Sequence, residues 1–152
     1  MADAYITALK LLSARELSEA QLRTRLTRRE HDPDAIDAAI TRLREDGTLN
    51  DRRVAVAVAR LESAIRHRGR ARVLQKVRQA GIDPSTAEAA VAEVFEEVDE
   101  NALLNRAFER RLRGASPRDL DEKARARILR ALAAQGFAFD AILKRLRASP
   151  DK

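Results

Sequence analysis

The chain has no cysteine. That one absence removes disulfides, thiolate metal sites and cysteine nucleophiles, and it suits a reducing compartment. Aromatic residues are almost as scarce: Tyr5, Phe95, Phe108, Phe137 and Phe139 are the full set. A sandwich or barrel draws on more aromatic and β-branched side chains than this. Five glycines and four prolines punctuate 152 residues, so long elements with few breaks are expected. The stretch from Met1 to Lys10 is mixed rather than apolar, and no hydrophobic run approaches the length of a bilayer-spanning helix. The expectation is a cytoplasmic protein without a membrane partner.

Catalytic constellations are missing too. The two histidines, His31 and His67, have no second histidine or carboxylate pair at metal-ligand spacing. His31 sits in a turn and reads as structural. His67 lies in a basic stretch where a polyanion contact is reasonable. The glycines fall singly at helix ends, which is no phosphate loop. Ser13, Ser18 and Ser63 lack a nucleophile-elbow context. The reading is a protein that is not an enzyme and that carries no metal or cofactor.

What the chain does have is helix-forming material. Alanine, leucine, arginine and glutamate dominate, and hydrophobic (45%) and charged (36%) residues are balanced, as amphipathic helices require. The first helix is expected from Ala2 to Ala14, with Tyr5, Leu9 and Leu12 on one face beside Ile6 and Ala8. Ser18 with Gln21 forms a capping box for a second helix carrying Leu22 and Leu26. Asp32-Pro33 opens a third, with Ile36, Ala39, Ile40 and Leu43 inward and Gly47 at its end. Asn50 or Asp51 caps a fourth. Its stripe of Val54, Val58, Leu61 and Ile65 predicts the buried face, and Gly69 its stop. Val73, Val77 and Ala80 mark a fifth, ended by Gly81. Asp83-Pro84 opens a sixth, with Ala87, Val91, Val94 and Phe95 inward. A seventh spans Asp99 to Arg113 with Leu103, Leu104, Ala107 and Phe108. An eighth runs from about Asp119 to Gln135 with Ile128, Leu129 and Leu132. A short ninth holds Phe139, Ile142, Leu143 and Leu146.

These helices repeat. Superposing Asp32-Pro33 on Asp83-Pro84 brings Leu22 onto Val73, Leu26 onto Val77 and Ile40 onto Val91. Superposing Gly81-Ile82 on Gly136-Phe137 brings Val73 onto Ile128, Val77 onto Leu132 and Val91 onto Leu146. The fold class is therefore all-α. Three tandem three-helix repeats, of helix-turn-helix-like form, cover residues 1–49, 50–98 and 99–152. A unit of about 50 residues is marginal alone, and stacking units buries the faces left over. The expected shape is an elongated, curved array.

Charge is unevenly spread over a net +6. Between Arg60 and Gln79 lie Arg60, Arg66, Arg68, Arg70, Arg72, Lys76 and Arg78 against one acid, Glu62. Arg68, Arg72, Lys76 and Gln79 share a stripe if the helix is regular. Lys123, Arg127 and Arg130 form a second basic stripe. Such side chains neutralise phosphates without reading sequence; a solvated helix face is the plain alternative. Candidate contact residues are Arg66, Arg68, Arg70, Arg72, Lys76, Lys123, Arg127 and Arg130. Glu88, Glu93, Glu96, Glu97, Asp99 and Glu100 make an acidic block suited to internal pairing or to a basic partner.

The run from Ala8 to Leu22, ALKLLSARELSEAQL, resembles the opening motif of RecX regulatory proteins, a leucine-rich helix leading through Arg-Glu into a Ser-Glu-capped helix. Leu49-Asn50-Asp51 with Val54-Ala55 looks like that family's Asp-x-x-Phe-Ala segment. Gly69-Arg70-Ala71-Arg72-Val73 with Val77 and Gly81-Ile82 resembles its Gly-x-x-x-Ile…Leu…Gly-Ile element. Gly136-Phe137 with Asp140 and Ile142 resembles its closing motif. The chain departs from the pattern at Val54, where an aromatic is usual, at Ala138, where serine is usual, and at Arg70, where proline is frequent. The resemblance implies three tandem three-helix repeats. It also implies a modulator of the RecA recombinase in DNA repair, recombination and the SOS response. Such a protein binds the RecA–DNA filament and restrains filament growth, ATP hydrolysis and strand exchange. The partners expected are that filament and, weakly and with salt sensitivity, single- and double-stranded DNA, with the protein a monomer. The competing readings are a helix-turn-helix transcription regulator and a scaffold or enzyme subunit. The helices led by Asp-Pro start with Asp34 and Ser85, which face phosphates poorly.

Overall fold

A computed structural model describes residues 3–147, and these form nine α-helices and no strand. In order they are α1 (Ala4–Ala14), α2 (Glu19–Arg28), α3 (Pro33–Glu45), α4 (Asp51–Arg60), α5 (Arg70–Gln79), α6 (Pro84–Glu96), α7 (Glu100–Leu112), α8 (Glu122–Ala134) and α9 (Phe139–Arg147). A π-helical turn, Leu61–Ile65, prolongs α4, and a short 3-10 turn, Pro117–Asp119, precedes α8. The predicted helix start at Ala2 and the end of the third unit, residues 148–152, lie outside the described residues.

The caps explain where the helices begin. Ser18 and Gln21 make the reciprocal capping box of α2. Asp32 and Asp83 each cap a helix with proline in its first turn. Asn50, Asp99 and Asp121 accept backbone amides at the starts of α4, α7 and α8. Asp51 does not cap α4; its carboxylate accepts from the Glu19 amide at 2.8 Å and so ties α4 to α2.

Three apolar clusters fill the molecule, one within each helix triplet. Leu22, Leu26 and Ile40 sit in the first, Val73, Val77 and Val91 in the second, and Ile128, Leu132 and Leu146 in the third. The positions that superpose in the repeat alignment are thus all buried.

On α1 the predicted face holds, with Tyr5, Leu9 and Leu12 packed half-buried against the first core and Ala8 buried, but Ile6 is exposed. The expectations fail more widely in the fourth helix. On α4 and its π-turn the predicted stripe holds only in its first half: Val54 is buried and Val58 packs half-buried against the second core, whereas Leu61 and Ile65 are 44% and 68% exposed. The buried face is Ala55, Ala59, Glu62 and Ser63, beside Val54. It packs on α6, which brings Ala87 and Ala90 into the same core. Small residues let two helices approach closely, so alanines outcompete the branched side chains for the interface. Nor does Gly69 stop this helix. The chain turns at His67, whose φ is +54°, and Gly69 becomes the extended N-cap of α5. Phe139 in α9 is likewise 55% exposed, while Ile142 and Leu146 carry the contact.

Candidate nucleic-acid interface

The basic residues of the second unit are spread over three local structures. Arg66 ends the π-turn, Arg68 lies in the link, and Arg70, Arg72 and Lys76 are on α5. Since α5 begins at Arg70, Arg68 falls outside the helical register that Arg72, Lys76 and Gln79 share. Arg70 lies over the Phe95 ring at 5.9 Å from its centroid. Arg72 is half-buried and donates to Gln75 at 2.7 Å. Arg66 and Arg68 both turn toward Glu62, which is only 3% exposed. Arg66 binds its carboxylate at 3.0 Å, and Arg68 approaches at 4.0 Å.

Arg66, His67, Arg68 and Arg72 form one wall of a cleft of about 790 Å³. The opposite wall comes from the third unit: Arg106, Ala107, Arg110, Arg111 and Arg113 of α7 and its C-terminus, with Ala131, Ala134 and Gln135 of α8. Seven guanidinium groups therefore line the cleft, and no carboxylate does. In a concave space like charges reinforce one another's field, which makes the cleft a focus for anions.

The four α7 arginines were not among the sequence candidates. Their signal is present, since Arg106 and Arg110 stand four residues apart on one face of α7 and Arg113 follows three residues on, at its left-handed C-cap. The third-unit stripe divides. Arg127 lines a smaller neighbouring hollow of about 230 Å³ with Arg111 and Arg113, which also line the main cleft. Lys123 and Arg130 are exposed on α8 and line neither. Lys76 is half-buried on α5, away from both cavities. Arg125, by contrast, is structural: its guanidinium donates to the carbonyls of Leu120, Leu146 and Pro117.

The acidic block pairs in part within the molecule. Glu88 meets Arg78 at 3.2 Å and Glu93 meets Arg52 at 2.8 Å. Among the described residues no three His, Asp or Glu side chains gather as a metal site, and no helix is long and apolar enough to cross a membrane.

Comparison with known proteins agrees with this architecture. A family model described as "RecX, first three-helix domain" matches residues 4–43. The Regulatory protein RecX of Syntrophotalea carbinolica is 35% identical over 136 residues, which cover 90% of this chain and 89% of that protein. The protein of the same name from Pseudomonas entomophila is 33% identical over 141 residues, covering 90% and 84%. The crystal structure of RecX from Lactobacillus salivarius superposes with a TM-score of 0.81 over 94% of each chain at 21% identity, a likeness of fold. Sequence relatedness along nine-tenths of its length shows that the chain belongs to the RecX family of regulatory proteins.

Proposed function

We propose that the protein regulates the RecA recombinase by binding the RecA–DNA filament, and that its effect is to restrain ATP hydrolysis, filament growth and strand exchange. The observation that carries the reading is the cleft between the second and third units, lined by seven arginines and no carboxylate. Arginine clusters of this kind hold phosphates through charge and counterion release, with little dependence on base sequence. Besides its arginines the cleft holds one histidine, His67; in this reading the protein works in the cytoplasm by binding rather than by turnover of its own. Three units, 1–49, 50–98 and 99–152, acting as a monomer, spread weak contacts along a filament and gain avidity from their linkage. Arg66, Arg68 and Arg72 make the cleft contact together with the arginines of α7 and its C-cap, Arg127 adds to it from the neighbouring hollow, and Arg70, Lys76, Lys123 and Arg130 contribute more weakly from outside both.

Sedimentation with preformed RecA filaments on single-stranded DNA, read beside RecA ATPase, tests the proposal. Wild-type protein should co-sediment and slow hydrolysis, and the Arg106→Glu/Arg110→Glu/Arg111→Glu variant should do neither. Filament binding and ATPase inhibition equal to wild type in that variant would refute the assignment of the cleft.

A further inference from the structure

Among the described residues two buried side-chain polar atoms lack a hydrogen-bond partner, Glu62 Oε2 and Arg72 Nε. Both belong to the same place. Arg72 lines the arginine cleft, and Glu62 lies behind it, in contact with the lining residues Arg66 and Arg68. A buried donor without an acceptor and a buried carboxylate oxygen without a donor are each costly. Of the two, only the Arg72 donor belongs to a residue that lines the cleft, and a bound anion would satisfy it; the Glu62 oxygen lies outside the lining, 4.0 Å from Arg68 Nε.

The backbone shows how Glu62 reaches that position. The π-turn closes through the Arg66 amide on the Leu61 carbonyl at 3.1 Å. His67 then takes a left-handed conformation, and the Arg68 amide bonds to the Glu62 carbonyl at 2.9 Å. The chain wraps around Glu62, so that one carboxylate faces two guanidiniums from behind. Two long side chains that would otherwise sample many rotamers are directed along one wall of the cleft.

We propose that Glu62 is a positioning residue of a site for linked phosphate groups: it aims Arg66 and Arg68 so that, with Arg72, they clasp consecutive phosphates. The inference rests on the reading of the cleft as a nucleic-acid contact. Guanidinium groups fixed in advance lose less freedom on binding than free ones, and their planar donor sets match phosphate oxygens. The phosphates belong to a nucleic-acid strand, although a free polyphosphate chain has the same chemistry.

The test has an unusual sign. If Glu62 acted only through its charge, Glu62→Gln would remove a negative group beside the cleft and strengthen polyanion binding. As a positioning residue its loss weakens binding. Fluorescence anisotropy with a labelled oligodeoxythymidylate and the full chain should show an affinity reduced about fivefold, equivalent to about 1 kcal/mol. Unchanged or higher affinity overturns the proposal. In an Arg66→Gln/Arg68→Gln background the same substitution should add nothing; a further loss there shows that Glu62 acts through the fold instead. Should Glu62→Gln lose its helical signal, Glu62→Asp replaces it. That variant keeps the charge and shortens the reach, so affinity must fall again, and an unchanged value overturns the proposal.

Tripolyphosphate should displace the oligonucleotide from wild type better than chloride at equal ionic strength, and should lose that advantage in Glu62→Gln. No advantage over chloride excludes a clasp for linked phosphates, and binding of tripolyphosphate tighter than that of the strand reassigns the site to a free phosphate chain. The Arg106→Glu/Arg110→Glu/Arg111→Glu variant separates the two levels. If it binds the strand like wild type, the cleft reading itself fails. If it loses binding while Glu62→Gln does not, only the role of Glu62 fails.

Discussion

Gly69 and Gly136 meet backbone to backbone across the joint between the second and third units. The Gly69 amide donates to the Gln135 carbonyl at 2.8 Å, and the Ala71 amide to the Gly136 carbonyl at 3.2 Å. A Cβ on Gly69 would lie 2.5 Å from the Gly136 carbonyl carbon and oxygen, and one on Gly136 would strike the Arg72 backbone. Gly136 also has φ +100°, where other residues are strained. The joint that forms the cleft is thus a main-chain contact that only glycine permits. The first joint uses a side chain instead: the Ser18 hydroxyl, already the cap of α2, donates to the Ala80 carbonyl at 2.5 Å.

Gly136→Ala should therefore be costly. Backbone strain of about 1–3 kcal/mol adds to the steric conflict with Arg72. Chemical denaturation should show a loss of stability of at least that size, together with weaker filament binding as the cleft opens. Stability like that of wild type would show that the two units are not joined through these glycines.

The cores make a contrast between positions that look alike in sequence. Leu26 and Val77 are fully buried, and alanine at either should cost about 1–4 kcal/mol. Ile65 belongs to the cleanest apolar stripe of the chain, yet it is 68% exposed. Ile65→Ser should change stability by no more than about 0.5 kcal/mol. Urea melts of the three variants check both statements. A large loss at Ile65 would return the stripe to the interior.

Within the basic surface the effects should be graded. Arg72 lines the cleft, whereas Lys123 and Arg130 do not. Arg72→Glu should weaken filament binding strongly. Lys123→Glu/Arg130→Glu should act weakly, by long-range attraction that added salt screens within a Debye length of about 10 Å at 0.1 M. Salt titrations of filament binding measure this: the cleft variant should flatten the salt dependence, the α8 variant should barely alter it. Equal slopes for both would mean that the whole face, rather than the cleft, makes the contact.

Asp83 gives a pH dependence with a definite sign. Its carboxylate accepts the Ser85 hydroxyl first of all and then the Thr86 and Ser85 amides at the start of α6, which holds its pKa below the usual carboxyl value. A group whose pKa is lowered by folding adds stability above its unfolded pKa, and that stability is lost as the pH falls through the lowered folded value. Asp83→Ala should thus be less stable than wild type at neutral pH, with the gap narrowing in acid below about pH 4. Thermal melts at several pH values test the trend; a gap that widens in acid would contradict the cap.

What the sequence determined by itself is local or periodic. Asp32-Pro33, Asp83-Pro84 and the Ser18–Gln21 box act within one turn of helix, so their meaning does not depend on the rest of the chain. The repeat from Leu22 to Val73 to Ile128 is carried by core positions that burial constrains in the same way three times. The tertiary structure decided which helix face wins when several are apolar. On α4 and its π-turn Ala55, Ala59 and Glu62 turn inward beside Val54 and the half-buried Val58 while Leu61 and Ile65 stay exposed, because small residues let α4 approach α6 closely. It also decided the cleft. Arg66, Arg68 and Arg72 are far in sequence from Arg106, Arg110 and Arg113, and they share one cleft beside the joint where the Gly69 and Gly136 backbones touch. A contact between main chains leaves no hydrophobic pattern in the sequence, and a field summed over two units cannot be read from either one alone.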